Sequence, residues 1–166
     1  MPGGLRFKTI SMELSIIQVD LQNQVHGQQL VKLLNDYMKD PMGNNRQMPG
    51  GLGPQIIAGL RNHPAYLGFF VLADDQFVGL ANCNLNFSTF QARPLINIHD
   101  FIIAPTSRNK GAGSFLLRAI INYASQNGYC RVNLEVRDDN ANAKSLYRKM
   151  GFSDCVPRMM FWEKRL

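Results

Sequence analysis

Cysteine is scarce. Cys83, Cys130 and Cys155 are the three in 166 residues, and no two form a C-x-x-C pair. An odd, scattered set argues against a disulfide framework and against a thiolate zinc site. His26 and His63 have no metal-ligating residue at i+3 or i+4, so no metal is expected. Long apolar runs are missing as well. None approaches the ~18 residues a membrane-spanning helix needs, and no membrane partner is expected. The opening stretch, MPGGLRFKTISMELSIIQVD, has too short an apolar segment and no small-residue cleavage site for a signal peptide. A cytoplasmic protein with a disordered start over residues 1–10 is the expectation. Acidic residues are few, 12 against 18 Lys and Arg, for a formal net charge of +6. That balance favours anionic partners. The dense basic stretches are short, however, YRK at 147–149 and EKRL at the end. A nucleic-acid surface carries a longer stripe interleaved with aromatics, so a solvated basic surface is the plainer reading and nucleic acid is not the expected partner.

What is there is an ordinary globular composition, 45% hydrophobic and 18% charged, in a chain of one-domain size. No repeat, low-complexity tract or linker divides it. LSIIQVD (14–20) reads as a strand, and residues 22–40 place Val25, Leu30, Leu33, Leu34, Tyr37 and Met38 mostly at helical spacing. The Gly/Pro/Asn-rich stretch 41–54 reads as loop, and 55–64 as a second short helix stopped before Pro64. Two β-rich runs within 66–87, around Asp74-Asp75-Gln76, predict a hairpin. Residues 96–105 predict another strand. Residues 113–128 predict a helix with Gly128 as C-cap. YCRVNLEVR (129–137) alternates like a strand, 140–152 reads as a helix capped by Asn140 or Asn142, and MMFWEKRL as a last strand. The sum is a single α/β (α+β) domain, a mixed and mostly antiparallel sheet flanked by helices, in the order β-α-α-β-β-β-α-β-α-β.

The stretch RNKGAGSFLL (108–117) puts a basic residue and a Gly-Ala-Gly turn before an apolar helix. A Walker A loop needs four residues between its first Gly and Gly-Lys, and none is here. A dinucleotide fingerprint needs a third Gly where Leu116 stands, and Glu135 is a decoy for its acidic residue. What remains is R-x-x-G-x-G opening a helix, whose N–H groups can converge on a phosphate at the positive helix end. Arg108 and Lys110 add charge. A plain tight turn is the competing reading.

Together, IHDFIIAPTSRNKGAGSFLL and LEVRDDNANAKSLYRKMGF resemble the GNAT superfamily of acyl-CoA-dependent N-acetyltransferases. The first is similar to that family's strand–loop–helix pattern R/Q-x-x-G-x-G/A. The second is similar to its later strand and helix, with Asn opening the helix and Tyr shortly before Gly-Phe. The two motifs lie on residues 98–152, in order. The resemblance implies acetyl-CoA as cosubstrate, with no metal. It implies that Asn109, Lys110, Gly111, Ala112, Gly113 and Ser114 wrap the pyrophosphate, with Arg108 beside them. Phe101, Ile102 and Ile103 would run along the pantetheine, and Asn140 and Ala143 would contact the cofactor. Tyr147 would sit near the thioester sulfur. The cofactor would wedge where two strands part, near Ile103 and Val136.

An alkylammonium with a pKa near ~10.4 must lose a proton before it can attack. His99 is the first candidate base, because strand alternation puts it on the face of Phe101 and Ile103 and an imidazole suits proton transfer at neutral pH. Asp100, on the opposite face, or Glu135 acting through water, or no dedicated base, are the alternatives. The N–H of Ile102 or Ile103 would serve the oxyanion, and Tyr147 would protonate the thiolate, unless its helical stripe with Ala143, Leu146 and Met150 makes it core. Cys83 and Cys130 are expected to pack as small hydrophobes, and transfer to be direct. The acceptor, a primary amine on a small molecule or peptide, would meet the loop 41–54 and an aromatic wall from Phe87 and Phe90 in NFSTFQARP (86–94). The rival reading is a non-catalytic acyl-CoA-binding sensor. A homodimer, through an edge such as the last strand, is expected by analogy with the family.

Overall fold

The computed structural model describes residues 12–166. The disordered start expected over residues 1–10 lies outside them. The elements are β1 (Leu14–Gln18), α1 (Gln24–Lys39), α2 (Leu52–Arg61), β2 (Tyr66–Ala73), β3 (Gln76–Ser88), β4 (Arg93–Ile103), a 3-10 turn (Pro105–Ser107), α3 (Ala112–Gln126), β5 (Val132–Leu134) and α4 (Ala141–Lys149). The chain divides into two compact units, one ending at Glu135 and one running Val136–Leu166.

The first unit is built on one sheet in the order β1-β2-β3-β4-β5. The first four strands are antiparallel neighbours, and β5 joins parallel to β4. The β2–β3 turn places Asp74 and Asp75 at φ 47 and 63, the left-handed pair that a two-residue hairpin demands and that Asp tolerates. Alternation then divides the sheet. Phe70, Leu72, Leu80 and Ile102 form one face with Leu30 and Leu33 of α1, and Ile56, Ile57 and Leu60 of α2 pack against it. The other face carries α3, whose Leu116, Leu117, Ile120 and Ala124 are buried and whose Tyr123 meets Phe69 edge-on at 5.3 Å. Burying a residue such as Phe70 or Leu30 contributes on the order of 1.5–3 kcal/mol each.

Three boundaries differ from expectation. α2 begins at Leu52, inside the stretch read as loop. Pro54 is its third residue, where the missing N–H would have no helical partner anyway. β5 spans three residues rather than nine, because alternation specifies a face and not the length of the ladder; pairing with β4 runs only from Ile96↔Val132 to Ile98↔Leu134. The last strand is absent: residues 152–166 carry no helix or strand, and Phe161 and Trp162 are exposed. MMFW followed by EKRL lacks a period of two, and a strand exists only where a neighbour supplies the ladder.

In the second unit, Asn140 caps α4 by accepting from Ala143 N–H at 3.1 Å. Gly151, at φ 87, ends the helix, with Phe152 N–H bonded to Tyr147 O at 3.0 Å and Gly151 N–H to Arg148 O at 3.1 Å.

Gly79 sits opposite Ile103, and a Cβ there would lie 2.6 Å from Ile103 Cδ1, 2.7 Å from Val71 Cγ1 and 2.8 Å from Ile102 O. Gly79→Ala is expected to destabilise the protein by about 1–3 kcal/mol through overpacking, read as a lower urea midpoint. An unchanged midpoint would mean the end of β4 is free to move away.

Candidate active site

The β3–β4 ladder pairs Asn82 with Asp100 and Cys83 with Ile98. One step on β3 therefore matches two on β4, and His99 is the inserted residue of a β-bulge. The insertion overturns the simple alternation. Asn82 and Cys83 point to opposite faces, so Ile98 and Asp100 do as well. Asp100 and Ile102 lie on the face covered by α1 and α2, while Phe101 and Ile103 share the α3 face with Ile98. His99 is exposed, and its side chain makes no hydrogen bond among the described residues.

Asp100 is half-buried and held. Its Oδ2 accepts from Asn82 Nδ2 at 2.9 Å, and Asn82 Oδ1 accepts from the Tyr66 hydroxyl at 2.9 Å. No cation is within ion-pair distance of Asp100 among the described residues, so its charge is left uncompensated. The effect reaches the neighbours: burial first, then the Asp100 charge, pushes the Cys83 thiol up to about 12. Cys83 is 1% exposed; a buried, protonated thiol is a packing group rather than a nucleophile.

Beyond the bulge the strand loses its β5 neighbour. The β4–β5 ladder stops at Ile98, yet β3 stays paired to β4 as far as Ile103. Ala104 N–H bonds Val78 O at 2.8 Å. Antiparallel ladders bond at alternate residues, so the backbone groups of Ile102 face β3 and those of Phe101 and Ile103 face away from it. Ile102 is also the member whose side chain is in the core, 3% exposed.

The chain then turns through Pro105–Ser107 into Asn109 (φ 60) and Gly111 (φ 89), both left-handed, and Gly111 caps α3. A Cβ added at Gly111 would meet nothing within 4 Å, so glycine is required there by φ and not by crowding. Among the described residues, none of the N–H groups of Asn109, Lys110, Gly111, Ala112, Gly113 and Ser114 donates to a backbone carbonyl or a side chain. Several unspent donors at the positive end of a fifteen-residue helix suit a phosphate.

Arg108 departs from expectation. Its guanidinium turns away from this role to bond Asp40 (Nη2 to Oδ2, 2.7 Å) and the Ile103 carbonyl (Nε to O, 3.0 Å). The cause lies at the end of α1. Asp40 is its C-cap, where the helix dipole repels a carboxylate, and its side chain is only 10% exposed. Burial tends to raise its pKa, but the Met42 N–H and Arg108 together hold it below the ordinary value. Arg108 thus ties the loop after α1 to the end of β4.

The remaining expected residues fall in two places. Asn140, Ala143 and Tyr147 are together on α4; Tyr147 is buried, 5.9 Å from the Phe152 ring, and Asn140 spends its oxygen on the Ala143 cap. Phe87 and Phe90 are exposed at the β3–β4 turn. That turn is at the opposite end of β4 from Ile103, roughly 30 Å away at ~3.3 Å per residue, so the pair is no wall for this site. Glu135 is exposed. Tyr66, Asn82 and Asp40 went unnoticed in the sequence; the one signal for Asn82 was an Asn within a strongly apolar strand.

Loss of the Asp40–Arg108 pair in Asp40→Asn is expected to cost about 1 kcal/mol at pH 7, discounted for the partly exposed Arg108. Because the folded-state pKa of Asp40 is depressed, the contribution is present above its unfolded value, 3.8, and is lost as pH falls through the lower folded value. The gap between wild-type and variant urea midpoints should therefore narrow as pH is lowered below 3.8. A pH-independent gap would assign the loss to packing.

A family model described as the Acetyltransferase (GNAT) family matches residues 45–152. The uncharacterized N-acetyltransferase YhfO of Bacillus subtilis is 31% identical over 101 residues, 60% of this chain and 66% of that protein. The [ribosomal protein bS18]-alanine N-acetyltransferase of Haemophilus influenzae is 30% identical over 115 residues, 68% of this chain and 74% of that protein. The chain spans 42% of the streptothricin acetyltransferase of Streptomyces lavendulae, at 36% identity. Among solved structures, a probable acetyltransferase superposes with a TM-score of 0.79 at 17% identity, covering 92% of this chain and 98% of that one. An aminoglycoside acetyltransferase from an uncultured soil metagenomic sample, in complex with sisomicin, gives 0.76 at 17%, covering 92% and 96%. The chain, on the strength of the match over residues 45–152, belongs to the GNAT acetyltransferase family.

Proposed function

We propose that the protein is an N-acetyltransferase that moves an acetyl group from acetyl-CoA directly to a primary amine of a small molecule or peptide. The observation that carries the reading is the conjunction at the end of β4: a ladder that stops at Ile98, then unspent N–H groups from Asn109 to Ser114 at the start of α3. The first suits an extended amide-bearing chain, the second a pyrophosphate, and acetyl-CoA joins the two. Family membership supports the same ligand.

Acetyl-CoA, when bound, supplies an electrophilic thioester carbonyl and a thiolate leaving group. The main chain from Asn109 to Ser114 binds the pyrophosphate, with Lys110 adding charge. Ile103 presents its backbone N–H to the pantetheine. Of the two strand donors considered for the oxyanion, Ile103 has the N–H on the side away from β3, which favours it over Ile102. Asp100, uncompensated and held at one oxygen, attracts the acceptor ammonium and accepts its proton; this favours it over His99, which is exposed and unheld. His99 is the second candidate. On the family resemblance alone, Tyr147 is the group to give a proton to the departing thiolate, and Asn140 and Ala143 those to contact the cofactor. Asp100 and the α1–α2 loop share one face of the sheet, which supports acceptor entry from that face.

The relatives suggest acceptors for a panel: sisomicin, a peptide with N-terminal alanine and a simple alkylamine. Calorimetric titration with acetyl-CoA is expected to give micromolar binding, absent with ATP or NAD. Thiol release from acetyl-CoA should appear with at least one panel amine. Asp100→Asn should lower kcat/KM on the order of 10²–10⁴ and Tyr147→Phe should lower kcat, both with acetyl-CoA affinity kept. A wild-type kcat/KM in Asp100→Asn together with a loss of about 10²–10⁴ in His99→Ala would transfer the proton-accepting role to His99. Binding without turnover would favour a sensor; no binding would end the reading.

A further inference from the structure

The polar chain beneath Asp100 is built with more care than burial of a tyrosine requires. Gly68, Asn82 and Asp100 are register partners across β2, β3 and β4, so they lie side by side on the face covered by α1 and α2. Tyr66, two residues before Gly68, shares that face. A Cβ on Gly68 would collide with the Tyr66 hydroxyl and would stand 2.6 Å from Val19 Cγ2. The missing side chain at Gly68 is therefore the seat of the phenol.

Asn82 is 6% exposed, and its amide has a donor end and an acceptor end. A carboxylate accepts only. The reverse orientation would set the amide oxygen against the Asp100 oxygen and the NH2 against the phenol. Burial first, and the Asp100 charge with it, pushes the Tyr66 phenol well above its usual range, so it stays protonated and remains a donor. With the phenol hydrogen on Asn82 Oδ1 at 2.9 Å, the NH2 is committed to Asp100 Oδ2 at 2.9 Å. Asp100 Oδ1 makes no hydrogen bond among the described residues. A neutral amide fixes the carboxylate without cancelling its charge, which a lysine or arginine in the same place would do.

We propose that Tyr66 and Asn82 are positioning residues: the phenol sets the amide, the amide fixes one oxygen of Asp100, and the other oxygen is left to the acceptor ammonium. This rests on Asp100 being the group that meets the ammonium. Neither Tyr66 nor Asn82 touches the reacting atoms. Their contribution is the orientation of a charged group in a site that excludes some of its water.

The first test needs no acceptor. In nitrogen–proton NMR spectra the Asn82 side-chain amide is expected to show two widely separated proton resonances, one bonded to a carboxylate. In Tyr66→Phe, which keeps the ring and its packing, the separation should collapse, as it should in Asp100→Asn. The second test uses acetyl-CoA and the panel amine with the fastest turnover. Tyr66→Phe should lower kcat/KM about tenfold with calorimetric acetyl-CoA affinity unchanged, and Asn82→Ala by at least as much. Added to Asp100→Asn, Tyr66→Phe should cost nothing further, because the group it orients is gone. A Tyr66→Phe variant with the wild-type amide signature overturns the proposal. So does an equal, additive loss in the Asp100→Asn background, which would mark a general structural role. Wild-type kcat/KM in Asp100→Asn, by contrast, overturns the underlying reading of Asp100 while leaving the amide result to stand.

Discussion

A β-bulge sets two residues against one, and in β4 the inserted residue is His99, with Asn82↔Asp100 on one side of it and Cys83↔Ile98 on the other. Everything downstream of it in the strand is shifted by one position relative to a regular ladder. Without the insertion Ile98 and Asp100 would share a face. With it, Ile98 stays under α3 and Asp100 turns to the side of α1 and α2. Pairing with β5 ends at the same point. A single extra residue thus coincides with the end of the parallel ladder and redirects the carboxylate whose neighbours are Asn82 and, through it, Tyr66.

The other constraint is electrostatic. A carboxylate at the C-terminal end of α1, nearly buried, is an unfavourable placement that needs a cation, and Arg108 supplies it. In doing so the guanidinium also takes the Ile103 carbonyl. The turn from Asn109 to the start of α3 is left to main-chain donors, whose direction is fixed by Asn109 and Gly111 in left-handed conformations. Division of labour follows: the arginine shapes the loop, and the main chain keeps its donors unspent.

Hydrophobic burial provides the platform for both. The cluster around Leu30, Leu33, Phe70, Leu80 and Ile102 anchors the end of β4 through a residue flanked by two whose backbone groups face the other way. Ile102 is a core residue and Ile103 an edge donor because the ladder assigns them opposite directions, although they are the same amino acid at adjacent positions.

The elements with strong local signals were legible in the sequence. α1 and α3 carry apolar stripes of helical period, Asp74-Asp75 between apolar runs makes a hairpin, and Asn140 and Gly151 bracket α4. These depend on contacts within a few residues, which the order of amino acids contains. The Gly-Ala-Gly turn was legible for the same reason: Gly111 is needed for its own φ. What the sequence left open depends on partners distant in the chain. The length of β5 was set by how far β4 accompanies it, and the terminal MMFWEKRL forms no strand because alternation is missing and no ladder is supplied. The face of Asp100 required knowing that the β3–β4 register slips, and the destination of Arg108 required knowing that Asp40, 68 residues earlier, would arrive beside it uncompensated. Local propensity and composition determined which helices and turns form. Register and long-range charge, which exist only once the sheet is assembled, decided which side chains meet.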